Sequence, residues 1–413
     1  MTHKQLTVVD LFAGAGGLSE GFQRQGFLGL AHIEMDSYAC QTLQTRHIYW
    51  ELVRNNKKHL YYDYLNNKIS RDELVNIFGT DNPVINETIG NESLGRIKER
   101  LHNKIKARKI SQVDVFVGGP PCQAYSLVGR ARDPYGMEND PRNQLYRFYV
   151  GLLKEFNPKL FVFENVPGIL SAGNGELWKD IQRYFKKAGY IIKHEIVNAA
   201  DFLVPQTRKR VILIGWQEKL NLEYPKLEKQ SHNYLFKDIF IDLPSLKPGE
   251  RIEAGGHKAS ASNYLKMAKI RVNGAPLIQH ITRPTNEQDR EIYGIALDKW
   301  ENKNERLSYT DLPKKLRTHN NCHSFLDRFK VVAKNLPTCH TLVAHISKDG
   351  HYYIHPDKKQ LRSISVREAA RIQSFPDDFK FEGPRTSQFI QIGNAVPPLM
   401  AENIAAKIKE MLL

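Results

Sequence analysis

Short apolar runs recur along the first half of the chain, and polar stretches with helical spacing separate most of them. The runs are "LTVVDLF" (6–12), "LGLAHIEMD" (28–36), "PVINETIG" (83–90), "VDVFVGG" (113–119), "PKLFVFENV" (158–166) and "RVILIGW" (210–216). Strands that are apolar throughout and alternate with helices are typical of a parallel sheet covered on both faces. The pattern therefore predicts an α/β domain over about residues 1–220.

This regularity is lost between about residues 221 and 335, where Pro, Gly, Asn and Lys interrupt short apolar pieces. A second, smaller and irregular domain is expected there. Order returns over residues 336–413, with a hairpin predicted around "SKDG" (347–350) and a helix that begins at a capping box of Ser365 and Glu368. A polar insertion at about 46–82 is expected to be a surface excursion, and we assign it no role.

Composition places the chain among ordinary globular proteins, since 41% of its 413 residues are hydrophobic and 25% are charged. No apolar run approaches the ~20 residues of a membrane span, and the first residues lack a signal-peptide pattern. The four cysteines are too scattered for a disulfide framework. We therefore expect an intracellular, cytoplasmic protein without a membrane partner. "NNCHSF" and "TCHTL" do not have the usual spacing of zinc ligands, so no metal is expected.

A surplus of basic residues, 60 Lys and Arg against 45 Asp and Glu, gives a net charge of +15. Basic side chains release counterions from phosphate backbones, so the surplus favours a nucleic-acid partner. A surplus that serves solubility alone is the alternative, and charge by itself leaves both open.

The stretch "DLFAGAGG" (10–17) lies where the first strand turns into the first helix, a common position for nucleotide-like ligands. Gly14 and Gly16 fit G-x-G, but Ser19 stands at the third position of the dinucleotide fingerprint. Glu34 ends the second strand, where a carboxylate can bond ribose hydroxyls. The combination suits an adenosine without a pyrophosphate, such as S-adenosylmethionine. A purely structural glycine turn is the alternative.

Cys122 follows a buried strand and two prolines in "GGPPC", so its thiol is held on a rigid loop at the carboxyl end of the sheet. A cysteine positioned in this way is a candidate nucleophile, and a nearby arginine or helix N-terminus would be needed to form the thiolate. Alternatively, the residue is a small buried hydrophobe.

Three polar residues end or begin other predicted strands. Glu164 ends the strand in "FVFENVPG" and could act as an acid, or else cap the following helix. Arg208 and Arg210 lie two residues apart in "PQTRKRV", which places both on one face of a strand. We expect the two guanidinium groups to face a shared anion or carbonyl.

Six motifs follow one another along the chain in this order: "DLFAGAGGLSEGF", "GGPPCQAYS", "FENVPG", "PQTRKRV", "LRSISVREAARIQSFPDDF" and "QIGNAVPPLMA". With them the chain closely resembles the DNA (cytosine-5) methyltransferases, and looks like a bacterial restriction–modification member, over about residues 1–220 and 336–413. The resemblance implies a class I S-adenosylmethionine-dependent methyltransferase fold with a Rossmann-like mixed sheet. Residues 221–335 would be its target-recognition domain, and the final helix would pack near the first glycine turn.

The resemblance also implies a reaction on double-stranded DNA, in which the target cytosine is flipped out of the duplex. Cys122 would add to C6 as a thiolate and so make C5 nucleophilic. Glu164 would contact N3, Arg210 would bond O2, and Arg208 would support charge in the site. C5 would then take the methyl group of S-adenosylmethionine.

Matching positions imply a cofactor pocket. Glu34 would bond the ribose, and an acid before the catalytic strand would contact the adenine amino group. Glu87 is our choice for that acid and Asp63 the runner-up, because the insertion blurs the spacing. The other matching positions are Phe12, Ala13, Gly14, Gly16, Gly17, Leu18, Met35, Pro120, Leu145 and Asn394.

A methyltransferase of this type would act as a monomer and would be paired with a restriction endonuclease. One rival is the tRNA-modifying branch of the family, which carries a Cys-Phe-Thr tripeptide that this chain lacks. The other rival is a DNA-binding regulator that does not methylate. Intact Cys122, Glu164, Arg208 and Arg210 argue against it.

Overall fold

The computed structural model describes residues 5–79, 81–121, 144–230, 233–318, 320, 322–324, 326–332 and 335–413. Cys122, the predicted nucleophile, lies outside these residues. The described chain contains a seven-stranded sheet. Its strands are β1 (Thr7–Leu11), β2 (Leu28–Glu34), β3 (Val84–Asn86), β4 (Val115–Gly118), β5 (Leu160–Asn165), β6 (Tyr190–Asn198) and β7 (Lys209–Gln217). Their order in the sheet is β3-β2-β1-β4-β5-β7-β6.

Strands β1 to β5 are mutually parallel, whereas β7 runs antiparallel to both β5 and β6. The sheet is therefore mixed, as the family resemblance implied, and each predicted strand is present. Strand β6 was not predicted. It lies at the edge of the sheet and alternates between buried and exposed residues, so its sequence "YIIKHEIVN" lacks the continuous apolar run of the central strands.

Helices cover both faces of the sheet. The helices are α1 (Gly17–Arg24), α2 (Ser37–Arg54), α3 (Lys58–Leu65), α4 (Arg71–Phe78), α5 (Leu94–Ala107), α6 (Leu145–Phe156), α7 (Glu176–Lys187), α8 (Asn263–Met267), α9 (Glu287–Lys303), α10 (Val366–Ile372), α11 (Arg385–Asn394) and α12 (Pro398–Leu412). Alternate strand residues point to opposite faces of the sheet. Val8, Val115 and Val162 therefore share a cluster with α1 and α12, while Phe116 and Phe161 pack with α5, α6 and α7.

The last helix packs directly on the first, as expected. A Cβ added to Gly21 of α1 would lie 2.4 Å from the backbone nitrogen of Glu402 in α12, so the two helices touch through a glycine. Arg24 of α1 also pairs with Glu402 at 3.1 Å. Residues from both ends of the chain thus complete one hydrophobic face of the sheet.

The predicted capping box is confirmed, because Ser365 and Glu368 exchange bonds between side chain and backbone at the start of α10. The hairpin predicted around 347–350 is wrong. Two short 3₁₀ turns, Ala344–Ser347 and His351–Tyr353, flank the stretch instead. The backbone that would form the second hairpin strand pairs elsewhere, since Ile354 N donates to Lys330 O at 2.8 Å and Ile364 N donates to Tyr353 O at 2.9 Å.

Residues 221–335 contribute to three hydrophobic clusters, the third of which contains Ile278. Phe236, Tyr264 and Leu277 join the large cluster that also covers the sheet, and strands β8 (Arg251–Gly255) and β9 (Leu277–Ile281) form an antiparallel pair. Residues between Ile292 and Val331 pack around Tyr293, Tyr309 and Phe329 in a cluster that also includes Ile354. The domain limits at 220 and 335 stay a prediction.

The insertion at 46–82 forms the end of α2 together with α3 and α4. Its buried side chains, including Tyr61 and Leu74, share a cluster with Ile278 of β9. The hydroxyl of Tyr61 donates to the Asp378 carbonyl at 3.1 Å. The insertion therefore packs against later parts of the chain. In the described ranges, no helix combines the length and the hydropathy needed to cross a membrane.

Candidate active site

A cleft of about 1760 Å³ opens along the carboxyl ends of the parallel strands. It brings together residues that are far apart in the sequence, because parallel strands end at the same edge of a sheet. Phe12 and Glu34 contribute from the first two strands, Glu164 and Arg210 from β5 and β7, and Asn394 from the end of α11.

Glu164 and Arg210 form an ion pair inside this cleft. Arg210 Nε lies 2.7 Å from Glu164 Oε1, and the side chains are 12% and 13% exposed. Gly119 lies against the same carboxyl group, since an added Cβ would be 2.5 Å from Glu164 Oε2. The loop of Gly119, Pro120 and Pro121, which leads in sequence to Cys122, therefore runs beside the carboxylate.

Arg208 has different surroundings from Arg210. Its buried guanidinium donates to the carbonyl of Leu342 at 2.6 Å, and to those of Gly393 and Ala395 at 3.3 and 3.1 Å. Arg210 pairs with Glu164 and Arg208 bonds backbone carbonyls, and the shared anion or carbonyl expected of the two guanidinium groups stays a prediction. Arg208 lies one residue before β7 begins, where the chain packs on the segment that contains Leu342.

The glycine turn is tied to the second strand through Glu34. Glu34 Oε2 accepts a hydrogen bond from Gly14 N at 2.8 Å, while Oε1 accepts from Met35 N and Asp36 N at 2.9 and 2.8 Å. The turn needs left-handed backbone at Phe12 (φ 56°), Gly14 (φ 54°) and Gly16 (φ 84°). These contacts hold the turn and the predicted ribose acid in one rigid unit.

A buried polar group lies beneath this turn. Ser19 Oγ donates to Asp10 Oδ2 and lies 3.0 Å from His32 Nδ1. Burial, helped by the charge of Glu34, raises the pKa of Asp10 to about 7. Burial also lowers the pKa of His32 to about 3, so this imidazole is neutral. None of the motifs pointed to this group, although an acid inside the apolar run "TVVDL" was a signal for it.

Glu87 and Asp63, the two candidates for the adenine acid, lie in different places. Glu87 follows β3, donates its backbone N–H to Glu34 O at 3.0 Å and lines the cleft. Its carboxylate accepts from Arg96 at 2.9 Å, which lowers the pKa of Glu87. Asp63 pairs with Lys68 at 2.8 Å on α3 and is not among the described residues that line the cleft.

Most of the other predicted cofactor residues also line the cleft. Gly16 does not line the cleft. It belongs to the glycine turn, where an added Cβ would lie 2.8 Å from the Leu43 side chain. Within the described ranges no cluster of three or more His, Cys, Asp or Glu side chains could hold a metal ion. The lining residues are Phe12, Ala13, Gly14, Gly17, Leu18, Met35, Pro120, Leu145 and Asn394.

The family model described as C-5 cytosine-specific DNA methylase matches residues 6–75 and 89–410. The chain belongs to this family. It is a DNA (cytosine-5) methyltransferase, and the resemblance found in its motifs is confirmed.

Relatives of this methyltransferase match over nearly the whole chain. The type II methyltransferase M.Bpa9945I of Bacillus paralicheniformis is 41% identical, over 98% of this chain and 99% of the relative. The type II methyltransferase M1.HphI of Haemophilus parahaemolyticus is 30% identical, over 98% of this chain and 87% of the relative.

Solved structures show the same fold. An E. coli prophage chain described as a DNA modification methyltransferase superposes with a TM-score of 0.67 at 24% identity, over 99% of both chains. The Entamoeba histolytica methyltransferase EhMeth superposes with a TM-score of 0.58 at 16% identity, over 100% of both chains. The mixed sheet described above is therefore the methyltransferase fold.

Proposed function

We propose that this methyltransferase methylates C5 of a cytosine flipped out of a short, specific sequence in duplex DNA, through a covalent bond between Cys122 and C6. The observation that carries the proposal is the Glu164–Arg210 pair, which lies in the same cleft as the glycine turn. One cleft can thus hold the base beside the methyl donor.

The base chemistry follows from the polar groups of the cleft. The Cys122 thiolate forms a bond to C6, and the electron pair of the C5–C6 double bond shifts toward C5 and the ring. Glu164 takes up a proton from solvent and supplies or shares it at N3, while Arg210 donates to O2, so both limit the charge that develops on the ring. After C5 is methylated, loss of the C5 proton restores the double bond and releases the thiolate.

Glu164 and Arg210 act as a unit in this scheme. Without a base in the cleft, the carboxylate and the guanidinium neutralise each other at 2.7 Å. A cytosine between Cys122 and this pair offers N3 to the acid and O2 to the guanidinium, so the ion pair orients both groups before the base enters. Arg208 has a positioning part, because it fixes the carbonyls of residues 342, 393 and 395 beside the cleft.

The residues of the glycine turn fit S-adenosylmethionine. Asp10 Oδ1 is buried without a hydrogen-bond partner among the described residues and lies in the cleft lining, as expected beside a cationic ligand. Glu34 would hold the ribose and Glu87 the adenine amino group, with Phe12, Met35, Pro120, Leu145 and Asn394 around them. When bound, S-adenosylmethionine supplies the electrophilic methyl group.

We also propose that the enzyme acts as a monomer on cytoplasmic DNA and protects it from a paired restriction endonuclease. The relatives named type II methyltransferases support this setting. Methylation of a single flipped base needs one active site, so a monomer suffices.

Bisulfite sequencing of mixed-sequence DNA, after incubation with the purified protein and S-adenosylmethionine, tests the proposal. Protected cytosines in one short recurring context are expected. The Cys122→Ser variant should bind the same DNA and protect none. Full protection by that variant would disprove the covalent step, and no protection by the unmodified enzyme would turn the search to RNA substrates.

A further inference from the structure

Two buried glutamines lie between two segments of the chain that line the cleft. Gln206 precedes β7 and Gln373 directly follows α10, and both side chains are 0% exposed. Neither glutamine is among the described residues that line the cleft. An effect of either side chain on ligand binding must therefore pass through other residues.

Hydrogen bonds join the two glutamines into a chain with a single direction. Leu342 N donates to Gln206 Oε1 at 2.9 Å, and Gln206 Nε2 donates to Gln373 Oε1. Gln373 Nε2 then donates to the carbonyls of Ile392 and Ala395 at 2.9 and 2.6 Å. A backbone N–H can only donate and a carbonyl can only accept, so the two ends of the chain fix how both amides are turned. An ionised glutamate has no donor and cannot complete this chain.

The donor end of this chain holds the backbone around Asn394. Ile392 and Ala395 lie on either side of Asn394, which is exposed and lines the cleft. Arg208 also donates to the carbonyl of Ala395, at 3.1 Å. A side chain is held in a productive direction only when its own backbone is fixed by neighbouring groups. Two buried donors, Gln373 and Arg208, thus fix the backbone that carries a proposed cofactor residue.

The acceptor end of the chain is anchored on a second segment of the cleft lining. Leu342 lies between Thr341 and Val343, and both of these residues line the cleft. The two lining segments also touch each other, because a Cβ added to Gly393 would lie 2.3 Å from Ala344 N. The amide chain therefore connects two parts of the cleft that are far apart in the sequence.

We propose that Gln373 is a positioning residue for the methyl donor, which fixes the backbone on both sides of Asn394 and thereby aims that side chain at the bound cofactor. The proposal rests on the proposed function, since it needs S-adenosylmethionine in the cleft. It deepens that function by naming a residue that acts on cofactor binding without touching the cofactor.

Calorimetric titration with S-adenosylhomocysteine, which lacks only the transferred methyl group, measures binding without DNA and without turnover. In Gln373→Glu the ionised carboxyl group cannot donate to the two carbonyls. We therefore expect the dissociation constant to rise roughly 10-fold, the effect of losing about one buried hydrogen bond.

Gln388→Glu is the matched control. Gln388 is a buried glutamine of α11, and its Nε2 donates to the carbonyl of Gly383 at 2.9 Å instead of to the carbonyls that flank Asn394. The same chemical change in the same helix should leave the dissociation constant as it is in the unmodified enzyme.

Steady-state kinetics separates positioning from a loss of folded enzyme. Loss of folded protein lowers the apparent kcat and leaves KM unchanged. A misdirected Asn394 should instead raise the KM for S-adenosylmethionine, by roughly 10-fold, and change the KM for DNA much less. If Gln373→Glu does not fold, Gln373→Met, which replaces the amide by an uncharged group of similar length, should show the same pattern.

Removal of the Asn394 side chain tests the route of the effect. Asn394→Ala should weaken the binding of S-adenosylhomocysteine, and adding Gln373→Met to it should have no further effect. Because Asn394 is exposed, its replacement leaves the buried amide chain in place.

Any of four results would overturn the proposal: an unchanged dissociation constant in the Gln373 variants, an equal rise in Gln388→Glu, additive effects of the Gln373 and Asn394 replacements, or an unchanged dissociation constant in Asn394→Ala. The last result applies even when no Gln373 variant folds. If the unmodified enzyme binds no S-adenosylhomocysteine, the proposed function itself has failed. The two failures are therefore distinguishable.

Discussion

Glu164 Oε1 lies 2.7 Å from Arg210 Nε although the two residues belong to different strands, β5 and β7. The antiparallel pairing of these strands sets Glu164 opposite Ile212, two residues from the arginine. The antiparallel pairing of β5 with β7 thus brings the carboxylate and the guanidinium together.

Replacing Glu164 by Gln should abolish most of the activity without unfolding the protein. The amide keeps the shape of the side chain but cannot supply the proton at N3, so kcat should fall roughly 100- to 10,000-fold. Single-turnover methyl transfer is the measurement. Glu195→Gln is the control, because Glu195 of β6 also pairs in register with Ile212 but is exposed at the sheet edge. Equal losses in both variants would contradict a role in the cleft.

Alanine replacements of Arg208 and Arg210 should affect different properties, the first mainly stability and the second mainly catalysis. Arg208→Ala leaves buried carbonyls without their donor, so the free energy of unfolding should fall by at least about 2 kcal/mol. Arg210→Ala should change stability less but lower kcat/KM roughly 100-fold. Urea unfolding and steady-state kinetics on both variants measure the difference. The opposite assignment would mean that Arg208, and not Arg210, contacts the base.

Two helical glycines should respond in opposite directions to alanine. Gly21→Ala inserts a methyl group against the backbone of α12, so we expect a loss of about 1–3 kcal/mol in the free energy of unfolding. Gly151 lies inside α6 with no atom within 4 Å of an added Cβ, so Gly151→Ala should gain up to about 1 kcal/mol. Thermal unfolding of the two variants is the measurement, and a neutral Gly21→Ala would mean that α1 and α12 are not in contact.

Asp10 should make stability depend on pH. Its pKa of about 7 lies above the value of 3.8 for an ordinary Asp, so the folded protein binds a proton that the unfolded chain has released. Between about pH 4 and 7 the free energy of unfolding should therefore fall as the pH rises, by a total on the order of a few kcal/mol. Asp10→Asn should lack this component.

The measurement is urea unfolding of both proteins from pH 4 to pH 8. Because other titrating groups are common to both, the difference between the two curves isolates Asp10. We expect the free energy of unfolding of Asp10→Asn to rise relative to that of the unmodified enzyme as the pH increases. Above about pH 8 the difference should stay constant. A difference that does not change with pH would show that Asp10 is ionised in the folded protein.

Sequence alone predicted the central strands, because each is a run of apolar residues between helix-like segments. The edge strand β6 was not predicted. It is partly exposed, and the polar residues Lys193, His194 and Glu195 interrupt its apolar run. The hairpin at 347–350 was wrong for a related reason. Turn residues were recognised correctly, but the partners of the flanking backbone lie elsewhere in the chain.

The motifs by themselves determined the family and the reaction class and supplied the candidate site residues, because the residues of each motif are adjacent in sequence. Tertiary structure decided how those residues are used. It paired Glu164 with Arg210, committed Arg208 to backbone carbonyls and bonded Gln373 to the backbone on both sides of Asn394. Such relationships join residues separated by tens or hundreds of positions, and they depend on strand order and packing rather than on any local pattern.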